Sequence, residues 1–167
     1  MRIRLRLALA CAVLLLVAAC GAGASSQTSP PGPAATSTLR ATTLDGANFD
    51  FASISGRPTV LWFWAPWCTI CRAEAPEIAK VAADLEGRVM FIGVPGRGER
   101  PEMQQFVTDG GVSGLQHVVD ADGAIWSKYG VVGQPAFAFI DGDGNVEMIN
   151  GSLTAEQLKT AARALVG

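Results

Sequence analysis

Cys68 and Cys71 stand three apart in the stretch TVLWFWAPWCTICRAEAPE, residues 59–77. An apolar, β-rich run ends there in Trp-Cys, and a helix-forming segment follows, so Cys68 is expected just past a strand and at the first turn of a helix. At that place a sulfur faces unpaired backbone N–H groups and the positive end of the helix dipole, which stabilise a thiolate and lower its pKa. A partner three residues on lies within about one turn on the same helical face, so a disulfide can close across the pair. The expected chemistry is that of a reactive dithiol and not of a structural staple.

The chain has two further cysteines, Cys11 and Cys20. Arg2, Arg4 and Arg6 precede an unbroken apolar run of 11 residues at 7–17, which is short for a membrane span and fits a secretory signal peptide over residues 1–19. The run ends in Val17-Ala18-Ala19-Cys20, which resembles the lipobox of bacterial lipoprotein precursors and makes Cys20 the expected lipidation site and membrane anchor. Residues 21–38 carry no charge and no aromatic group, cannot bury enough to order themselves, and read as a tether. The expected organisation is a signal peptide over 1–19, a lipidated cysteine and tether over 20–38, and one domain over 39–167. The expected location is extracytoplasmic, on the outer face of the cell membrane.

Composition then removes several classes of function. The formal charge of −2 becomes −5 once Arg2, Arg4 and Arg6 are removed, so no nucleic-acid partner is expected. A zinc site wants four ligands, but His117 is the lone histidine and there is no second CxxC, so no metal is expected. Asp141-Gly-Asp-Gly-Asn145 has Val146 and Ser152 where a calcium loop needs Gly and Glu, and reads as a turn. No Ser-His-Asp triad or phosphate loop is present.

The elements that must hold the cysteines follow from periodicity. Short runs at 39–44 and 48–51 flank Asp45-Gly46 and predict a hairpin. Residues 59–64 and 88–94 read as strands buried on both faces. A helix is expected over 68–85, with Pro76 inside it, and another over 101–108, opened by Pro101. A short strand at 115–119 and a short helix at 124–129 come next. Strands at 136–140 and 145–150 are joined at Asp141-Gly142-Asp143-Gly144. A closing helix over 154–166 has Thr154 as cap and Gln157 in the capping-box position. The alternation predicts an α/β fold, a central mixed β-sheet flanked by helices with an N-terminal β-hairpin. Trp62, Phe63, Trp64 and Trp126 are expected mainly in the core, and His117 at the surface or in packing.

FWAPWCTICRAEAP, followed some 60 residues later by YGVVGQPAFAFIDGDGNV, resembles the thioredoxin superfamily, and more closely its extracytoplasmic TlpA/ResA/DsbE-type branch with its DsbF lipoprotein members. The resemblance covers roughly residues 39–167 and implies a thioredoxin fold. It makes Cys68 the nucleophile and Cys71 the resolving thiol of a redox disulfide, with no other cofactor. Glu74 matches a glutamate that ResA-like members keep near the cysteines for proton handling. Thioredoxins proper have a buried aspartate where this chain has Trp62, so Glu74 is the nearest carboxylate in sequence and is expected to take the proton from Cys71. Pro135 matches a cis-proline that faces the CxxC and leaves the backbone before it free to pair with substrate. Gln134 stands where Thr, Val or Ile is common. Trp67, next to the nucleophile, is a candidate substrate contact.

The function this implies is an extracytoplasmic thiol–disulfide oxidoreductase, read as an oxidase that donates disulfides to exported proteins and is reset by a membrane redox partner. A reductase of the cytochrome c maturation kind would use the same residues. A redox-inert thioredoxin-fold binding module is the alternative of a different class, and intact Cys68 and Cys71 argue against it. The Pro-x-x-x-Thr-x-x-Cys pattern of peroxiredoxins is absent at Cys68.

Overall fold

The computed structural model describes residues 39–167. The expected signal peptide, the Cys20 anchor and the tether lie outside the described residues. The chain runs β1 (Arg40–Thr43), β2 (Asn48–Asp50), a 3-10 turn (Phe51–Ile54), β3 (Thr59–Trp64), α1 (Thr69–Asp84), β4 (Met90–Pro95), α2 (Arg100–Asp109), β5 (Gln116–Val119), α3 (Ala124–Lys128), β6 (Ala136–Ile140), β7 (Val146–Asn150) and α4 (Ala155–Ala164). Seven strands form one sheet in the order β2-β1-β5-β4-β3-β6-β7. β3, β4 and β5 are parallel, whereas β1 pairs antiparallel with β5 and β6 antiparallel with β3. This is the mixed α/β architecture expected from the sequence.

β3 explains why the cysteines are held so firmly from behind. All six of its residues are buried. Side chains alternate across a strand, so Val60, Trp62 and Trp64 enter the core layer that contains α1, while Leu61 and Phe63 enter the opposite one. β6 does the same with Phe137 and Phe139 against Ala136, Ala138 and Ile140. Truncating a fully buried aromatic such as Trp62 to alanine costs about 3 to 5 kcal/mol.

α1 packs Cys71, Ala75, Ile78, Val81 and Ala82 inward at helical spacing, with Pro76 within the helix. α4 carries the expected reciprocal cap: Thr154 Oγ1 accepts from the Gln157 N–H, and the Gln157 side chain accepts from the Thr154 N–H. The first hairpin differs from its expected form at one place. The second strand ends at Asp50 instead of continuing through Phe51, because the Asp50 carboxylate accepts the Ala52 N–H at 2.9 Å and turns the chain into the 3-10 segment. His117 resolves to a buried packing position. It fills the space left by Gly93 in β4, where a Cβ would lie 2.1 Å from His117 Nδ1 and 2.8 Å from Trp64 Nε1. Its Nε2 bonds the Val112 carbonyl at 3.0 Å, and burial pushes its pKa below the usual histidine value.

Candidate functional site

Cys68 is the N-cap residue of α1, with extended backbone angles, and its sulfur accepts the backbone N–H of Cys71 at 3.0 Å. An N-cap acceptor satisfies one of the otherwise unpaired N–H groups of a first helical turn. Here that acceptor is itself one sulfur of a disulfide. Cys68 and Cys71 are joined as a disulfide with Cα atoms 5.3 Å apart. Cys71 is wholly buried, whereas Cys68 retains 5% exposure, so an attacking sulfur reaches the pair at Cys68.

Three walls surround the disulfide. The first is the loop before β6. The Gln134–Pro135 peptide is cis. Because Phe63 in β3 pairs with Ala136 in β6, Pro135 stands beside the end of β3 that leads to Cys68. The Pro135 carbonyl accepts the Gly151 N–H at 2.9 Å, and Gln134 is partly buried, with its Oε1 lacking a partner.

The second wall is the loop after β4. Trp67 is 58% exposed, yet its indole N–H donates to the Arg97 carbonyl at 2.7 Å. Arg97 has a φ of 56°, a conformation rare outside glycine, and its guanidinium sits 4.8 Å from the centre of the Trp126 ring. Gly98 is required beside it, since a Cβ there would come within 2.3 Å of Pro66 Cγ.

The third wall is α1 itself. Glu74 is partly buried, and its Oε1 accepts from the Ser152 hydroxyl and from the Leu153 N–H at 3.1 Å. Its Oε2 is buried and has no partner. Burial is the largest influence and pushes the Glu74 pKa above the usual glutamate value, against the lowering effect of the Ser152 and Leu153 bonds. Glu74 lies three residues after Cys71, so the two side chains share a helix face with Cβ atoms about 5 to 6 Å apart.

The contacts of Arg72 had no local sign in the sequence. Arg72 donates to the Pro66 carbonyl at 3.0 Å, pairs with Asp109 at 3.4 Å and lies 5.1 Å from the centre of the Phe106 ring. Phe106 in turn stacks on Trp64 at 4.1 Å. The turn that carries the cysteines is thus tied to α2 through Arg72, and to the β7–α4 loop through Glu74. Trp62, in the place of a thioredoxin aspartate, is fully buried against Phe106 with its indole nitrogen unpartnered. It brings no carboxylate under the site. Asp141 has its oxygens occupied by Asp143 and Asn145 within its own turn. A cleft of about 650 Å³ lined by Arg57, Ala82, Val89 and Leu115 lies at the other end of the sheet from the disulfide.

A mixed sheet between helices, with a helix-capping CxxC disulfide beside a cis-proline loop, defines a thioredoxin-superfamily domain. The chain belongs to the AhpC/TSA family, which matches residues 32–149. It is 46% identical over 115 residues to the soluble secreted antigen MPT53 of Mycobacterium tuberculosis, a match that spans 69% of this chain and 65% of that protein. It is 31% identical over 113 residues to the thiol:disulfide interchange protein DsbE of Yersinia pestis, spanning 67% of this chain and 58% of the relative. Among solved structures it is similar to MTB dsbF, at 43% identity with a TM-score of 0.76, covering 78% of this chain and 97% of that one. It is also similar to a secreted Mycobacterium tuberculosis disulfide oxidoreductase homologous to E. coli DsbE, at 42% identity with a TM-score of 0.72, covering 76% and 96% of the two chains.

Proposed function

We propose that this protein is an extracytoplasmic thiol–disulfide oxidoreductase of the DsbE/DsbF type that hands the Cys68–Cys71 disulfide to exported proteins bearing free thiols. The carrying observation is the disulfide at the α1 N-cap, where the Cys71 N–H points at the Cys68 sulfur. A client thiolate attacks Cys68 Sγ, forms a mixed disulfide and expels Cys71 as a thiolate. A second client thiolate then attacks the client sulfur of that bond and releases Cys68. The client leaves with one disulfide and the protein keeps both electrons as a dithiol.

Glu74 serves the buried thiol. In the oxidative direction it supplies the proton that neutralises the Cys71 thiolate, and in the reverse direction it removes that proton. The unpartnered Oε2 and the raised pKa support this role. Trp67, Gln134 and Pro135 line the approach to Cys68, and the client chain lies along the Pro135 loop. Anchoring through Cys20 would place the domain at the membrane surface, next to the redox partner that restores the disulfide.

Mixing the oxidised protein with a reduced unfolded client tests the activity: client disulfides should appear together with protein dithiol, and no transfer would favour the redox-inert binding module. The reduction potential of the couple tests the direction. A value well above about −270 mV fits an oxidase, and one near or below it fits a reductase.

A further inference from the structure

The β7–α4 loop makes three consecutive contacts with the site, each from a different residue. Gly151 donates its N–H to the Pro135 carbonyl at 2.9 Å, Ser152 donates its hydroxyl to Glu74 Oε1, and Leu153 donates its N–H to the same oxygen at 3.1 Å. Gly151 has a φ of 115°, a conformation that an L side chain rarely adopts and that turns the next two donors onto Glu74. Both donors converge on one oxygen while the other is buried with none. The loop therefore orients the carboxylate as well as binding it.

We infer that residues 151–153 form a strap that joins the cis-proline loop to Glu74, with Ser152 as a positioning residue that fixes one carboxylate oxygen and leaves the other free for the Cys71 proton. This rests on the proton-handling reading of Glu74 given above. Holding Oε1 with two donors favours the ionised carboxylate, and burial of Oε2 opposes it. Ser152 thus lowers the pH at which Glu74 becomes a base, against the larger upward effect of burial. The titratable and charged groups on the elements around Glu74 are Cys71, Arg72, Glu77, Lys80 and Asp84 on α1 and Glu156, Lys159 and Arg163 on α4, and the cis-proline loop has none. The pKa of Glu74 answers to burial, Ser152 and Leu153, with no charged side chain contributing.

The test is the pH–rate profile of resolution in the full-length chain carrying Cys11→Ser and Cys20→Ser, so that only Cys68 and Cys71 react. Cys68 is loaded with 5-thio-2-nitrobenzoate, and release of the chromophore by Cys71 is followed in stopped flow. Ser152→Ala should move the inflection of the profile to higher pH by about half a unit, slowing the acid limb about threefold. Ser152→Thr, which keeps the hydroxyl, should restore the parent profile. An unmoved inflection in Ser152→Ala, or the same shift when Glu74→Gln is already present, overturns the strap. An inflection that survives Glu74→Gln strikes down the reading of Glu74 and the strap with it.

Discussion

Glu74 on α1 and Asp141 in the β6–β7 turn are both carboxylates bound by neighbouring donors, but their surroundings differ in kind. Asp141 is partly exposed and takes the N–H groups of Asp143 and Asn145 on one oxygen and the Asn145 side-chain amide on the other. Those bonds, the Asn145 side chain first, hold its pKa below the usual aspartate value. Glu74 takes donors on one oxygen only, keeps the other buried and empty, and is pushed upward by burial. The difference teaches where a carboxylate is an element of the fold and where it can exchange a proton. A group whose acceptors are all filled has nothing left to offer, whereas an unmet buried acceptor favours the protonated form and can pass the proton on.

The largest effect tests whether Glu74 has a thiol to serve. Cys71→Ser should abolish turnover and, when the variant is mixed with a client that carries a disulfide, leave the client trapped on Cys68 after Cys68 attacks that disulfide, visible as adducts on non-reducing gels; full turnover in this variant would remove the basis of the comparison. The next effect separates the two carboxylates directly. Glu74→Gln should slow resolution of a Cys68-linked mixed disulfide about a hundredfold, while Asp141→Asn should leave the rate within about twofold. Equal effects in stopped flow would show that the buried, empty oxygen carries no special role.

The smallest effect lies in stability against pH, and the two groups should give opposite contributions. The folded pKa of Glu74 is raised, so its contribution to stability is present in full below the ordinary glutamate value and is lost as pH rises through the folded value. Glu74→Gln should therefore melt higher than the parent at neutral pH and match it in acid. The folded pKa of Asp141 is lowered, so its contribution is present above the ordinary aspartate value and is lost as pH falls through the folded one. Asp141→Asn should melt lower than the parent at neutral pH, with the gap closing in acid. Melting curves across the acid-to-neutral range that show the same sign for both variants would erase the distinction.

The parts of the site that could be read in the sequence are those with a local cause. A strand-turn-helix with cysteines three apart specifies the N-cap sulfur through backbone geometry alone, and the Thr154 and Gln157 cap is legible for the same reason. The β-rich run at 59–64 indicated burial on both faces, and the alternation of Val60, Trp62 and Trp64 against Leu61 and Phe63 realises it. The partners of Glu74 were not legible, because Ser152 is 78 residues away and nothing in its neighbourhood marks an exposed serine as a donor to a distant helix. Arg72 was hidden for the same reason, since its partners Pro66, Phe106 and Asp109 come together only when α2 packs on α1. His117 could be read only as surface or packing, and its burial was decided by the missing side chain of Gly93 on the neighbouring strand.

The antiparallel placement of β1 beside β5 has a practical meaning for handling the molecule. Thr42 lies opposite Val119 and Gly96 bridges to Asp120, so the chain enters the sheet at Leu39 from the same end that carries Cys68, a few strands to the side. α4 carries the chain away from that end: the loop before it touches Glu74 near the start of α1, and Lys159 pairs with Asp84 at the end of α1 at 2.5 Å. A tag, dye or solid support joined just ahead of Leu39 would stand at the same end of the sheet as the disulfide. The same attachment at Gly167 would leave the disulfide facing open solution, which makes the C-terminus the place to mount this protein for surface-bound assays.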